Sequence, residues 1–305
     1  MTVPRRLAGI ELGGTKAIAV LAQDHHIIDR MAVPTTRPDE TLSPLIDQLH
    51  RWNGIRPLQG IGIASFGPIR LDPVAEDFGC ILTTPKPHWT GASVITPIRD
   101  RLECPIRLDT DVNAAAFAEH RWGAGRGCAS LLYLTIGTGL GGGALIDGNS
   151  VTGRLHPEMG HILLRRLIGD PFAGACAFHG DCAEGLLSGP ALARRFGNSP
   201  QQVAAHDDRW RPVAHDLAQL LTTLIHGYAP NRIIIGGGVG LGVPWLLPMA
   251  IDRMPMLLGD YYPDLTVDAL RAMVVPAALG DEAGPLGAIA LADAADRQHD
   301  WHVAR

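Results

Sequence analysis

The chain opens on short apolar runs broken by polar residues and glycine turns. In Ala8-Gly9-Ile10-Glu11-Leu12, Ile10 and Leu12 flank Glu11 with the alternation of a strand, and the run ends at Gly13-Gly14-Thr15-Lys16. AIAVLAQD gives a second strand, His25-His26 marks a turn, and IIDRMAV gives a third. The pattern recurs over 131–148, LLYLTIGTGLGGGALIDG, as an apolar strand, a Gly/Thr turn and a returning strand. Two such strand–glycine–strand units predict a duplicated architecture. Farther along, the strand IRLDT runs into an alanine-rich helix, NAAAFAEHRW, closed by Gly123. Val213, Leu217, Leu220, Leu221, Leu224 and Tyr228 repeat at helical spacing and Pro230 ends that helix. Arg232-Ile-Ile-Ile235 then reads as a buried strand opening onto Gly236-Gly237-Gly238-Val239-Gly240, and 280–296 as a last helix with a Gly/Ala face. Strands alternating with helices predict an α/β protein.

Composition refines this picture. At 305 residues the chain is long enough for two lobes, since single cores stop growing near ~250–300 residues. With no linker or low-complexity tract, the expected division is 1–117 plus 288–305 as the smaller lobe and 118–287 as the larger. A net charge of -5, with lysine only at Lys16 and Lys86, argues against nucleic-acid and membrane-surface partners. Five cysteines do not suit a secreted disulfide framework, and no apolar h-region or run of the ~18 apolar residues a membrane span needs is present. The expected setting is the cytoplasm.

One stretch stands out chemically: Cys176-Ala-Phe-His179-Gly-Asp-Cys182. The spacing is too wide for a thioredoxin-type pair, whereas Cys, His and Cys at three-residue intervals can turn inward on a tetrahedral zinc ion. The alternative is a coincidence of a buried thiol and a surface imidazole. His161 is the expected fourth ligand, with His156, Asp181 and a water as the other candidates.

The glycine turns let backbone amides approach phosphate. Gly13, Gly14, Thr15 and Lys16, and Gly137, Thr138, Gly139, Gly141 and Gly142, are the candidate residues, and Gly237 and Gly238 offer a floor for adenine or ribose. Each turn also reads as a plain connection, and Lys16 as a solvated strand start. Asp111, at a strand-to-helix junction, suits a general base; it also suits a helix cap, and Asp109 competes for either role. Glu158 and Glu184 are candidate hydroxyl acceptors for a sugar, Glu184 alternatively a helix N-terminal acid. A zinc site holding His161 and Cys182 would fix the backbone beside both glutamates.

The glycine turns in this order, Asp111-Val112-Asn113, HPEMGH (156–161), the Cys/His loop and Glu184 ahead of Leu187-Ser188-Gly189 resemble the ROK family of sugar kinases. GIELGGTK, SFGPI (65–69), TPKPHW (84–89) and HPEMGHILLRR are similar to its zinc-containing bacterial fructokinase branch. The resemblance implies a two-lobed actin-like ATPase (ribonuclease H-like) fold, ATP and Mg2+ as donor and cofactor, Zn2+ on the loop, and a homodimer. It implies Asp111 as base and Glu158 and Glu184 on the sugar. Thr110, where many relatives have an asparagine that contacts the sugar, and Asn113 would bind the sugar beside the base, and His161 would belong to the same sugar site as well as being a zinc ligand. Glu11, where many relatives have aspartate, would help place magnesium through water. The expected reaction is fructose to fructose 6-phosphate. Sibling kinases of glucose, mannose or N-acetylmannosamine are the nearer alternative. A sugar-sensing repressor is the remoter one, because such relatives carry a helix-turn-helix domain ahead of the first glycine turn, here at residue 13.

Overall fold

A computed structural model of the protein describes residues 4–295. The chain forms two compact units. The first takes the chain up to Trp122, then Ser150–His156 and the stretch from Asp281 onward; the second takes Gly123–Asn149 and Pro157–Gly280. The units thus divide at the ends of whole helices, Asp111–Trp122 and Ala283–Asp293, rather than within them at 117 and 288. Of the expected return of 288–305 to the first lobe, residues 296–305 lie outside the described residues.

Each unit is built on one mixed sheet. In the first, β1 (Arg6–Leu12), β2 (Lys16–Gln23), β3 (His26–Pro34), β4 (Gly60–Ser65) and β5 (Ile106–Thr110) lie in the order β3-β2-β1-β4-β5. The two hairpins β1/β2 and β2/β3 are antiparallel, while β1/β4 and β4/β5 are parallel. In the second, β6 (Ser130–Ile136), β7 (Leu140–Ile146), β8 (Asn149–Ser150), β9 (Arg232–Gly236) and β10 (Val274–Pro276) lie in the order β10-β9-β6-β7-β8. Again the hairpin β6/β7 is antiparallel and β6/β9 and β9/β10 are parallel. Read from the opposite edge, the second order repeats the first, which is the duplication the sequence pattern predicts. In both, the glycine turn joins the first two strands of the repeat.

Helices of small residues cover the first sheet closely. The helix Asp111–Trp122 buries Ala114, Ala115, Ala116 and Ala118, and Ala283–Asp293 buries Ala288, Ile289 and Ala292. Gly62 on β4 lets that last helix approach, because a side chain there would collide with the Ala288 carbonyl oxygen. In the second unit, Trp210–Tyr228 buries Val213, Leu217, Leu220, Leu221 and Leu224, five of the six residues whose spacing predicts the helix, while Tyr228 at its end is half-buried. It starts three residues before Val213, at Trp210, which is itself fully buried against Phe196. Among the described residues no helix is long and apolar enough to cross a membrane.

The short return Ser150–His156 belongs to the first unit for identifiable reasons. Ser150 Oγ donates to Asp109 at 2.8 Å, and the His156 imidazole accepts from the Ile69 amide at 3.2 Å. His156 is buried and occupied in this way, so it is not the fourth zinc ligand that the sequence left open.

Candidate functional site

In the first unit the site begins at the turn between β1 and β2. Gly13 N donates to the Lys16 carbonyl at 3.1 Å, closing the turn. Thr35 secures it twice: its Oγ1 donates to the Gly13 carbonyl at 2.8 Å and its amide to the Thr15 carbonyl at 2.9 Å. Gly14, Thr15 and Lys16 are exposed. Nothing in the residue pattern singles out Thr35, because its role depends on where β3 ends.

The junction of β5 and the helix Asp111–Trp122 separates the two aspartates that the sequence leaves in competition. Asp109 is 3% exposed and fully engaged. Its Oδ1 accepts from the Asn113 amide group at 2.7 Å and the Thr110 amide at 2.8 Å, and its Oδ2 accepts from Ser150 Oγ. Burial raises its pKa, and those hydrogen bonds oppose the rise. Thr110 and Asn113 are also buried, and Asn113 N donates to Thr110 Oγ1 at 3.1 Å, so both help to build the junction. Asp111 is only half-buried and accepts from the Val112 amide at 2.9 Å. It is the accessible carboxylate of the pair, and its place at the end of a strand suits a base.

Glu11 lies close to Asp111. Its carboxylate packs on Gly284, where a side chain would collide with it. Burial first, then the charge of Asp111, pushes its pKa up to about 7; Glu282 and Asp281 add to the rise and Lys16 opposes it. Clustered carboxylates that repel one another suit a hard divalent cation, so this donor set fits magnesium held directly or through water.

In the second unit the turn after β6 is tight, with Gly137 N donating to the Gly139 carbonyl at 2.9 Å. Gly189 N donates to the Gly137 carbonyl at 2.7 Å, and Glu184 Oε2 accepts from the Leu140 amide at 3.1 Å. Glu184 is therefore attached to the glycine turn as well as available to a ligand. Thr138 is exposed at the tip, and Gly141 lies in β7 opposite Thr135. Gly142 answers to packing, since a side chain there would overlap Met159. Gly237 likewise has a φ of 83° and lies against the backbone of Ile136, whereas Gly238 is exposed with open space beside it. Of these two, Gly238 is the one a ligand can approach freely.

His161, Cys176, His179 and Cys182 come together with all four ligand atoms within 4.8 Å of one another. His161 Nδ1 lies 3.6 Å from Cys182 Sγ and 3.9 Å from Cys176 Sγ, which is 3.9 Å from His179 Nδ1. Zinc–sulfur and zinc–nitrogen bonds of about 2.3 and 2.0–2.1 Å at tetrahedral angles give an S···N edge of about 3.6 Å. The set therefore fits zinc. A reciprocal pair of backbone hydrogen bonds between Cys176 and Gly180, 3.0 Å each, turns the loop back on itself. Burial pushes the Cys182 thiol up to about 11, with Cys176 nearby adding to the rise, and a cation would reverse that preference. Asp181, the other open candidate, pairs with Arg166 at 3.2 Å. Arg166 also pairs with Asp170, so the loop is braced from behind.

Glu158 precedes the single turn Met159–His161, and its carbonyl accepts from the His161 amide at 3.0 Å. Glu158 as a whole residue is exposed. Its carboxyl is enclosed enough that burial, then the charge of Glu184, pushes its pKa up to about 7. Two carboxylates that repel one another beside a metal-ready loop suit a neutral ligand rich in hydroxyl donors.

The sequence profile of the ROK family matches residues 7–295. A fructokinase of Zymomonas mobilis subsp. mobilis is 39% identical over 295 residues, covering 95% of this chain and 97% of that one. A ROK hexokinase from Thermus thermophilus superposes with a TM-score of 0.76 at 26% identity, covering 96% of this chain and 99% of that one. A ROK family glucokinase from Streptomyces griseus, solved with glucose and AMPPNP, gives 0.71 at 26% identity, covering 94% and 99%. With its two mixed sheets, the protein has the α/β, actin-like ATPase fold of these neighbours. The likeness spans nearly the whole chain, and the chain belongs to the ROK family.

Proposed function

We propose that the protein transfers the γ-phosphoryl group of ATP to a hexose, D-fructose first, giving fructose 6-phosphate. The observation that carries this is the 39% identity to a fructokinase over 95% of the chain. The site residues support the reading. The Gly13–Thr15 and Gly137–Gly139 turns offer amides to the phosphates, and Gly238 leaves room for the nucleoside. Asp111 takes the proton from the 6-hydroxyl as its oxygen bonds to phosphorus and the bond to the ADP oxygen breaks. Glu158 and Glu184 accept hydrogen bonds from the other hydroxyls. Magnesium, when bound with the nucleotide, supplies charge neutralisation for the phosphates, and Glu11 is placed to help hold it. His161, Cys176, His179 and Cys182 would hold zinc, which keeps the backbone on either side of Glu158 and Glu184 in place. A reducing, cytoplasmic setting fits the five free cysteines, and the homodimer implied by the family resemblance belongs to the same proposal.

Release of ADP and formation of the sugar phosphate, measured for the wild type and Asp111→Asn, test the proposal. The variant should bind nucleotide normally and lose about 10²–10⁴-fold in kcat. A variant that kept most of its kcat would remove Asp111 from the mechanism.

A further inference from the structure

The loop Thr84–Trp89 has no part in the site as described, yet it brings one of the chain's two lysines to the glycine turn of the first unit. The loop is firmly based. Trp89 is fully buried, meets Phe66 edge-on at 5.1 Å, and donates from Nε1 to the Thr36 carbonyl at 2.7 Å. Lys86 Nζ donates to the Gly14 carbonyl and lies 6.0 Å from the centre of the Phe66 ring.

Together with Thr35, Lys86 completes a one-sided arrangement. The carbonyls of Gly13, Gly14 and Thr15 all accept from protein donors: Thr35 Oγ1, Lys86 Nζ and Thr35 N. Among the described residues, the amides of Gly14 and Thr15 donate to no protein group. A turn with its oxygens held and its amides unclaimed is prepared for an anion. Lys86 is itself half-buried and makes no ion pair with a described residue. Burial lowers its pKa. A cation taken partly out of water without a counter-ion is disfavoured until an anion joins it.

We propose that Lys86 belongs to the donor-phosphate site: it fixes the Gly13–Thr15 turn through the Gly14 carbonyl and provides positive charge for the phosphates that the turn receives. This rests on the kinase assignment above. It gives the chain a phosphate-site lysine outside the glycine-turn segment itself, since Lys16 is exposed at the start of β2.

Steady-state kinetics of Lys86→Met and Lys86→Arg, with ATP and hexose varied separately, test the idea. Loss of a charge-assisted hydrogen bond predicts a fall of about 10- to 100-fold in kcat/KM for ATP in Lys86→Met. The hexose KM should stay within about twofold, and Lys86→Arg, which keeps charge and donor, should recover most of the loss. If Lys86→Met does not fold, Lys86→Gln, which keeps a donor but no charge, is compared in its place. A wild type that phosphorylates hexose beside a Lys86→Met variant with unchanged kcat/KM for ATP would overturn the role of Lys86 and leave the kinase assignment standing. Equal losses on the ATP and hexose sides, with no recovery in Lys86→Arg, would also overturn it. A wild type that transfers no phosphate from ATP would remove both.

Discussion

Replacing Glu11 by glutamine isolates the energetic effect of holding a carboxylate beside the first glycine turn. Glutamine keeps the volume that packs on Gly284 and removes the charge. The rise in the Glu11 pKa from 4.5 to about 7, at about 1.36 kcal/mol per pH unit, amounts to about 3 kcal/mol of folding stability. The sign follows from the direction of the shift. Below 4.5 the carboxyl is protonated in the folded and unfolded chains alike. As pH rises from there to about 7, the unfolded chain ionises first, so the wild type loses stability, and the loss is complete above the folded-state value. Glu11→Gln should therefore match the wild type near pH 4 and exceed it by up to about 3 kcal/mol near pH 8. Urea unfolding at the two pH values measures the difference. A magnesium nucleotide should narrow the gap at the higher pH, because a cation favours the wild-type carboxylate. A variant no more stable than the wild type near pH 8, or equally stabilised at both pH values, would refute the reasoning.

Two further outcomes follow from the geometry. Elemental analysis should find about one zinc per chain, as a single tetrahedral site requires, and Cys182→Ser should lower it and weaken hexose affinity more than ATP affinity; full activity in zinc-free protein would contradict a role for the metal in shaping the sugar site. Gly62→Ala should destabilise the first unit by roughly 1–3 kcal/mol or more, because the added methyl meets the Ala288 carbonyl oxygen, and a thermal melt unchanged from the wild type would contradict that contact.

The strand–glycine–strand repeats were legible because period-two runs and glycine turns are local signals, and the matching strand orders of the two sheets follow from them. The Cys/His cluster was legible for a similar reason: three of its members lie within seven residues, and the structure brings His161, at the end of the short turn Met159–His161, to the other three. Other features depend on contacts distant in sequence. Asp109 and Asp111 are indistinguishable in IRLDTDVN, and only burial, with Ser150 donating from 41 residues away, shows that Asp109 builds the junction. Gly142 reads as a phosphate glycine and Gly237 as part of a nucleoside floor, and neither reading could show that Met159 and the Ile136 backbone lie where a side chain would stand. Lys86 lies 72 residues from the carbonyl it binds, so no spacing rule could join the two.

The central claim is that this chain phosphorylates fructose with ATP, and the most direct test is kcat/KM for D-fructose, D-glucose, D-mannose and N-acetylmannosamine at saturating ATP and magnesium. Fructose should lead, with glucose and mannose turned over more slowly and the product carrying phosphate on its 6-hydroxyl. A lead of more than about tenfold for glucose or N-acetylmannosamine, a margin that pocket contacts readily produce, would contradict the fructose assignment. Phosphorylation of none of the four would contradict the catalytic account itself.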